Sequence, residues 1–314
     1  MKYYFAPMEG ITGWVYRSAF HRHFGPADQY FTPFLSPGAD RCFTSRELAQ
    51  ILPEHNQGME TVPQLMTRNS EDFIWAAREL QQMGYNEVNL NLGCPSGTVT
   101  AKGKGSGFLA HPEELDRFLD AAFRNLDMRI SVKTRIGVES PEEFPRLLEI
   151  FNRYPICRLI IHPRIRKEFY KGKPHLEVFA QAVRESGNPL CYNGDLFTER
   201  DFADFREAFP KVDAVMLGRG LLMDPFLLGR LQERDRETAK KEVLSRFLKE
   251  LQEGYEETMS GDRNVLFKLK ELWSYLILLF EDGEKYGKKI RKAQSLAEYS
   301  HWVESLLAEK SLRS

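Results

Sequence analysis

Along the first two thirds of the chain, short apolar runs rich in β-branched and aromatic residues alternate with longer segments whose apolar residues recur at helical spacing. Eight such runs are read: Tyr3 to Met8, Gln29 to Phe34, Val62 to Met66, Glu87 to Leu92, Ile130 to Thr134, Leu159 to His162, Leu190 to Asn193 and Ala214 to Leu217. Of the helical segments between them, Ser70 to Met83 opens with a Ser cap and an acidic first turn, and Pro112 to Asn125 has proline in its first turn. This alternation is the mark of parallel βαβ units. Eight units in roughly 230 residues match a (β/α)8 TIM barrel, whereas a doubly wound sheet usually has fewer strands.

After Leu231 the strand signals stop. Val243 to Tyr255 places Leu244, Phe247, Leu248, Leu251 and Tyr255 on one helical face. Two further helical stretches follow, one with Leu269, Leu272, Trp273 and Leu276, the other with Leu296, Tyr299, Trp302, Val303 and Leu306. The expected organisation is an α/β barrel over 1–233 and a small helical domain over 238–314, divided in the charged segment Glu233 to Glu237.

Composition narrows the partners. With 42% hydrophobic residues in 314, the chain buries a large core. Its 44 basic and 45 acidic residues leave a net charge of -1, so any nucleic-acid surface must be local. Cys42, Cys94, Cys157 and Cys191 lie far apart with no C-x-x-C pair, which suits reduced thiols rather than disulfides or zinc. No signal-length or membrane-length apolar run is present, the late run Tyr275 to Phe280 being too short. A cytoplasmic protein with no membrane association and no obligate protein partner is expected.

In a parallel barrel the residues at the strand C-termini converge on one mouth. Here they are Glu9, Gln64, Asn89, Asn91, Cys94, Lys133, Arg135, His162, Arg164, Asn193-Gly194-Asp195 and Gly218-Arg219-Gly220. The last two clusters follow the seventh and eighth strands, where glycine-bearing loops commonly cradle a phosphate; each alone is also an ordinary tight turn. Lys133 lies within an apolar strand and reads either as a cation awaiting an anion or as a snorkelling strand-end lysine. Cys94 reads as a catalyst or as a small buried hydrophobe, and the glycine-rich stretch after it, with Lys102 and Lys104, as a lid or a surface loop. Arg164, Arg166, Lys167, Lys171 and Lys173 are interleaved with Phe169 and Tyr170, which suits stacking on an extruded base. A second basic run, Lys285, Lys288, Lys289, Arg291 and Lys292, reads as a solvated face or an RNA contact.

Taken in order, these motifs resemble the tRNA-dihydrouridine synthase family over nearly the whole chain. The matching segments are Ala6-Pro7-Met8-Glu9-Gly10, Gln64-Leu65, Asn89-Leu90-Asn91-Leu92-Gly93-Cys94-Pro95, Lys133-Thr134-Arg135, His162-x-Arg164, Tyr170-x-Gly172, Asn193-Gly194-Asp195 and Ala214 to Gly220. The resemblance implies FMN held by Pro7, Met8, Glu9, Gln64, Lys133, His162, Asn193, Gly194, Asp195, Gly218 and Arg219. It implies NADPH as reductant, hydride transfer from the flavin N5 to uracil C6, and Cys94 as proton donor to C5. The implied substrate is the D-loop region of tRNA, with Asn91, Lys102, Lys104, Arg135, Arg164, Arg166, Lys167, Tyr170 and Lys268 on the RNA side. The helical domain, with its Lys268 to Leu276 signature, is implied to bind tRNA. The Cys-Pro-Ser-x-Thr-Val pattern looks closest to the bacterial subfamily acting on U16.

The chain departs from the family pattern at three places. His162-Pro163-Arg164-Ile165 replaces His-Gly-Arg-Thr, Glu168 stands where a glutamine is usual, and Gly97-Thr98 replaces a lysine after Cys-Pro. All three lie on the substrate side. Two other readings share parts of this pattern: an FMN-dependent ene-reductase of small molecules, which needs no basic patches or helical domain, and a non-catalytic RNA-binding barrel.

Overall fold

The computed structural model describes residues 1–38, 40–234 and 239–313. These form two compact units. The first comprises Met1–Pro7, Asp28–Asp195 and Asp204–Leu217, and the second Met8–Ala27, Leu196–Ala203 and the chain from Gly218 onward. The compact units therefore do not follow chain order as the expected domains do, and 235–238, at the expected boundary, lie outside the described residues.

The first unit is a parallel barrel. Its strands are β1 (Lys2–Phe5), β2 (Gln29–Phe31), β3 (Thr61–Val62), β4 (Gln64–Leu65), β5 (Glu87–Leu92), β6 (Arg129–Arg135), β7 (Arg158–His162), β8 (Leu190–Tyr192) and β9 (Ala214–Leu217), in the order β3-β2-β1-β9-β8-β7-β6-β5-β4. The two edges, β3 and β4, are halves of one strand interrupted at Pro63, which has no N–H to give a ladder. One half pairs with β2 and the other with β5, and a bridge between Leu35 and Leu65 extends the first pairing. Counted this way the barrel has the eight expected strands. β1 and β2 stop at Phe5 and Phe31, short of the expected ends, just before the segments that contain Pro7 and Pro33.

Strand pleating sorts the side chains. Tyr4, Ala6, Phe31, Val62, Ile160, Cys191, Ala214 and Met216 form one buried apolar cluster. On β5 and β6 the alternation runs Val88, Leu90, Leu92 against Asn89, Asn91, and Ile130, Val132 against Ser131, Lys133, Arg135. Register sets Asn91 beside Lys133 and Arg135 beside His162. The helices Ser70–Gln82 and Pro112–Asn125 lie where expected, although the first is capped by Asn69, whose side chain accepts from Glu71 and Asp72 N–H, and not by Ser70.

The second unit is helical. Trp14–Phe24 packs on Lys240–Thr258, with the Tyr16, Phe24 and Phe247 rings in edge contact. Asp262–Leu276 and Leu296–Glu309 are the two further expected helices, and Glu284–Lys292 is an additional one, its apolar contribution to the interior limited to Gly287 and Ile290. Trp273, fully buried, donates its indole N–H to the hydroxyl of buried Tyr299 at 2.9 Å. Tyr299→Phe strands that donor, so the variant should lose about 1–3 kcal/mol of stability. Urea unfolding should show a lower midpoint at an unchanged slope.

Candidate functional site

The inward amides of the barrel unit are costly to leave unpaired, and they bond to one another. Asn89 donates to Ser131 Oγ (2.9 Å), Gln64 Nε2 to Asn89 Oδ1 (2.7 Å), and Asn91 Nδ2 to Gln64 Oε1 (2.7 Å). Asn91 Oδ1 then accepts the backbone N–H groups of Gly93 and Cys94, both at 3.0 Å. A chain of amides thus runs from the barrel interior to the peptide of Cys94.

The other side of that peptide is held by Ser106, a fully buried residue that the sequence reading did not single out. Its N–H (3.1 Å) and hydroxyl (2.8 Å) both donate to the Cys94 carbonyl. The glycine-rich stretch forms a short helix, Gly97–Thr100, and a 3-10 helix, Gly105–Ala110, with Gly105 to Leu109 buried. Gly105 has φ +56°, and a Cβ there would sit 2.8 Å from the Cys94 carbonyl oxygen. The stretch is therefore packed against Cys94. Its only sequence signal was the Gly-Ser-Gly spacing. Lys102 is exposed and Lys104 half-buried on this segment.

Lys133 is half-buried, and among the described residues no hydrogen-bond or ion-pair partner meets its ammonium. Burial, and then the nearby Arg135 charge, lower its pKa to about 8. Arg135 donates to three carbonyls, Gly93 (2.9 Å), Ile165 (3.0 Å) and Phe169 (2.8 Å), and lies 5.6 Å from the centre of the Tyr170 ring. Arg164 is fully buried and pairs bidentately with Asp195 (2.6 and 3.0 Å). It also donates to His162 Nε2 at 3.0 Å, so that nitrogen carries no proton.

The loop after β7 carries the basic and aromatic residues. Arg166 and Lys167 share the carboxylate of Glu139, while Phe169 and Tyr170 are exposed. Glu168, the residue in place of glutamine, accepts from the Ile165 N–H (2.8 Å) and contacts His175 Nε2 (2.7 Å). Burial pulls the His175 pKa down, but hydrogen bonds to Glu168 and Glu177 outweigh it and raise the value. Both carboxylate contacts form together only when the ring carries two protons.

Asn193 donates to the Met216 carbonyl (2.8 Å), and Gly194 is needed because a Cβ would lie 2.0 Å from the Tyr192 hydroxyl. In the helical unit, the Met8 N–H bonds to Thr12 Oγ1 (2.8 Å), and the Lys268 ammonium donates to the carbonyl of Gly10, so Lys268 fastens the turn next to Glu9. Gly218 precedes the short helix Arg219–Met223, and Arg219 lies over the Phe197 ring at 5.2 Å. Pro7 and Met8 are half-buried and Glu9 is exposed. In the second basic run, Lys289 stands 3.7 Å over the Trp302 ring and Arg291 donates to the Trp273 carbonyl.

Comparison with known proteins places this arrangement in context. The family model described as dihydrouridine synthase matches residues 4–304. A probable tRNA-dihydrouridine synthase of Staphylococcus epidermidis is 27% identical over 329 residues, covering 98% of this chain and 94% of the relative. One from Staphylococcus aureus is 30% identical over 247 residues, with 76% and 73% covered. Among solved structures, morphinone reductase superposes with a TM-score of 0.53 at 13% identity, covering 77% of this chain and 88% of that one. A 2-naphthoyl-CoA reductase complex gives 0.57 at 10%, covering 74% and 50%. At such identities these structures share the fold alone.

The unpaired Lys133 charge has a thermodynamic consequence. Its pKa is about 8 when folded and near its ordinary 10.5 when unfolded, so the folded state bears a penalty that is complete below pH 8 and fades as pH rises to 10.5. Lys133→Met should therefore stabilise the ligand-free protein at pH 7 by about 1–3 kcal/mol, and the gain should shrink toward pH 10. Thermal unfolding of both proteins across that range checks it.

Proposed function

The chain belongs to the dihydrouridine synthase family, and from that premise we propose that it reduces the C5=C6 bond of uridine in tRNA, with FMN as cofactor and NADPH as reductant. The observation that carries this reading is Cys94, held at its N–H by Asn91 and at its carbonyl by Ser106, on the loop that follows β5. Asn91 is in register with Lys133 on the neighbouring strand.

The residues present fit the cofactor. Lys133 offers an ammonium with no carboxylate partner among the described residues, suited to an anionic ring. Gln64 keeps one amide N–H beyond its bond to Asn89. His162 and the backbone of Asn193, Gly194 and Asp195 complete the set in the barrel unit, and the family resemblance adds Pro7-Met8-Glu9 and Gly218-Arg219. When bound, FMN would supply the hydride equivalent for uracil C6, with NADPH as the reductant that renews it.

The remaining work falls to side chains. Cys94 gives its proton to C5 and is reprotonated from solvent, so one hydride and one proton enter the base. An ordinary thiol, with a pKa of about 8.5, is mostly protonated at neutral pH, as a general acid requires. Below pH 8 Lys133 is charged and able to stabilise the negative charge that develops at the uracil. A base within folded tRNA must be unstacked to reach the mouth, and the exposed faces of Phe169 and Tyr170 are suited to receive it. Lys102, Lys104, Arg166 and Lys167 supply local cations, and the helices of 238–314 form the RNA-binding domain. The substrate region is the D-loop of tRNA in the cytoplasm, and the Cys-Pro-Ser-x-Thr-Val pattern after β5 looks closest to the subfamily acting on U16.

Purified protein should be yellow and release FMN on denaturation, read by chromatography of the released flavin. Nucleoside mass spectrometry of tRNA from cells lacking the gene should show dihydrouridine missing at the target position, while persistence of every dihydrouridine would remove the substrate assignment. Cys94→Ala should bleach normally with NADPH, yet its reoxidation by unmodified tRNA should slow by about 10²- to 10⁴-fold in stopped flow. Reoxidation at the wild-type rate would make Cys94 a packing residue.

A further inference from the structure

Arg164 entered the sequence reading as an RNA-facing cation, but its surroundings give it a different task. A guanidinium has five N–H donors. In Arg164 each has an acceptor: Nε the Lys171 carbonyl (3.2 Å), Nη1 His162 Nε2 and Asp195 Oδ1 (both 3.0 Å), and Nη2 the Gly172 carbonyl (2.7 Å) and Asp195 Oδ2 (2.6 Å). The side chain is fully buried. No donor remains for a phosphate.

Four of these bonds, all but the one to His162, join two places that the sequence separates by more than twenty residues. One is the Asn193–Asp195 turn beyond β8. The other is the loop bearing Phe169 and Tyr170, residues that are 48% and 45% exposed. Arg164 holds the far side of that loop at Lys171 and Gly172, and Arg135 holds its near side at Ile165 and Phe169. Phe169 sits at φ 53°, a backbone region that a large side chain occupies only when its surroundings impose it. A buried charge that loses one of its partners is destabilised far more than an exposed one, so the loop's placement depends on Asp195.

We infer that Arg164 is a positioning residue that couples the Asn193–Asp195 turn to the 165–172 loop, so that a ligand held at the turn fixes the aromatic pair that receives the RNA base. The inference rests on the reading above, in which that turn binds FMN and that pair meets uridine. A ligand that shields the turn from water strengthens the Arg164–Asp195 pair by lowering the local dielectric. By linkage, RNA bound at the loop must in turn tighten the ligand at the turn.

Hydrogen exchange tests the coupling without relying on turnover. Wild type, Asp195→Asn and Arg164→Lys are compared with and without saturating FMN, circular dichroism confirming that each is folded. In wild type, FMN should slow exchange of the 165–172 amides. In Asp195→Asn these amides should exchange faster by about 10-fold or more, the change expected for one lost charge-assisted hydrogen bond, and should no longer respond to FMN. Arg164→Lys, with three donors in place of five, should change in the same direction. In tRNA-driven reoxidation both variants should raise KM for tRNA by a larger factor than they lower kcat. Exchange in the 165–172 loop that matches wild type in both variants, with KM for tRNA unchanged, overturns the coupling. Wild type that binds no FMN, or fails to reoxidise with tRNA, overturns the functional reading instead, and the FMN-free exchange comparison still decides whether Asp195 holds the loop.

Discussion

Polar side chains carried on the inward face of a parallel barrel are costly unless they find partners there, and the placement of the candidate site's residues follows from that constraint. The two-residue period of β5 and β6 places Asn89, Asn91, Ser131, Lys133 and Arg135 on one face while Val88, Leu90, Ile130 and Val132 take the other. An unpaired amide in that setting costs as much as a lost hydrogen bond. The amides therefore link in a chain that ends on the Cys94 N–H, and packing requirements become the means of placing a thiol. Lys133 stands apart as a cation without a partner among the described residues.

The basic residues divide by what their charge meets. Arg135 and Arg164 are buried and satisfied by backbone carbonyls, a ring nitrogen and one carboxylate, and Lys268 is directed to the Gly10 carbonyl. Arginine suits such a task because its planar fork offers several donors in fixed directions and it stays charged when desolvated; even drawn down by burial to about 10, the pKa of Arg135 leaves it protonated at neutral pH. Lys102 remains at the surface, and Arg166 and Lys167 remain in solvent-facing pairs with Glu139. Charge runs read from the chain thus contain both structural clamps and surface cations.

Glu168 shows how a departure from a family pattern is absorbed. Its carboxylate caps the Ile165 N–H and meets His175, adding a second fastening to the loop that the two arginines hold. The glycines after Cys94 act in a comparable way. Gly105 adopts a positive φ and lies where a side chain would strike the Cys94 carbonyl, which lets a glycine-rich segment pack closely on the residue it covers.

The number and order of the barrel strands were determined by the sequence alone, because a buried parallel strand requires a short apolar run and a crossover requires an amphipathic helix, and both patterns are local. The placement of Cys94, Lys133, His162 and the Asn193–Asp195 turn at strand C-termini was legible for the same reason. What each polar residue pairs with was not. Ser106 reaches Cys94 across twelve positions and Asp195 reaches Arg164 across thirty-one, and no local period encodes such distances. Nor does chain order show that Trp14–Phe24 shares a compact unit with Lys240–Thr258, since the aromatic contacts between them span more than two hundred residues. Those pairings were decided only in the tertiary structure, where each buried donor must take the acceptor that packing brings within reach.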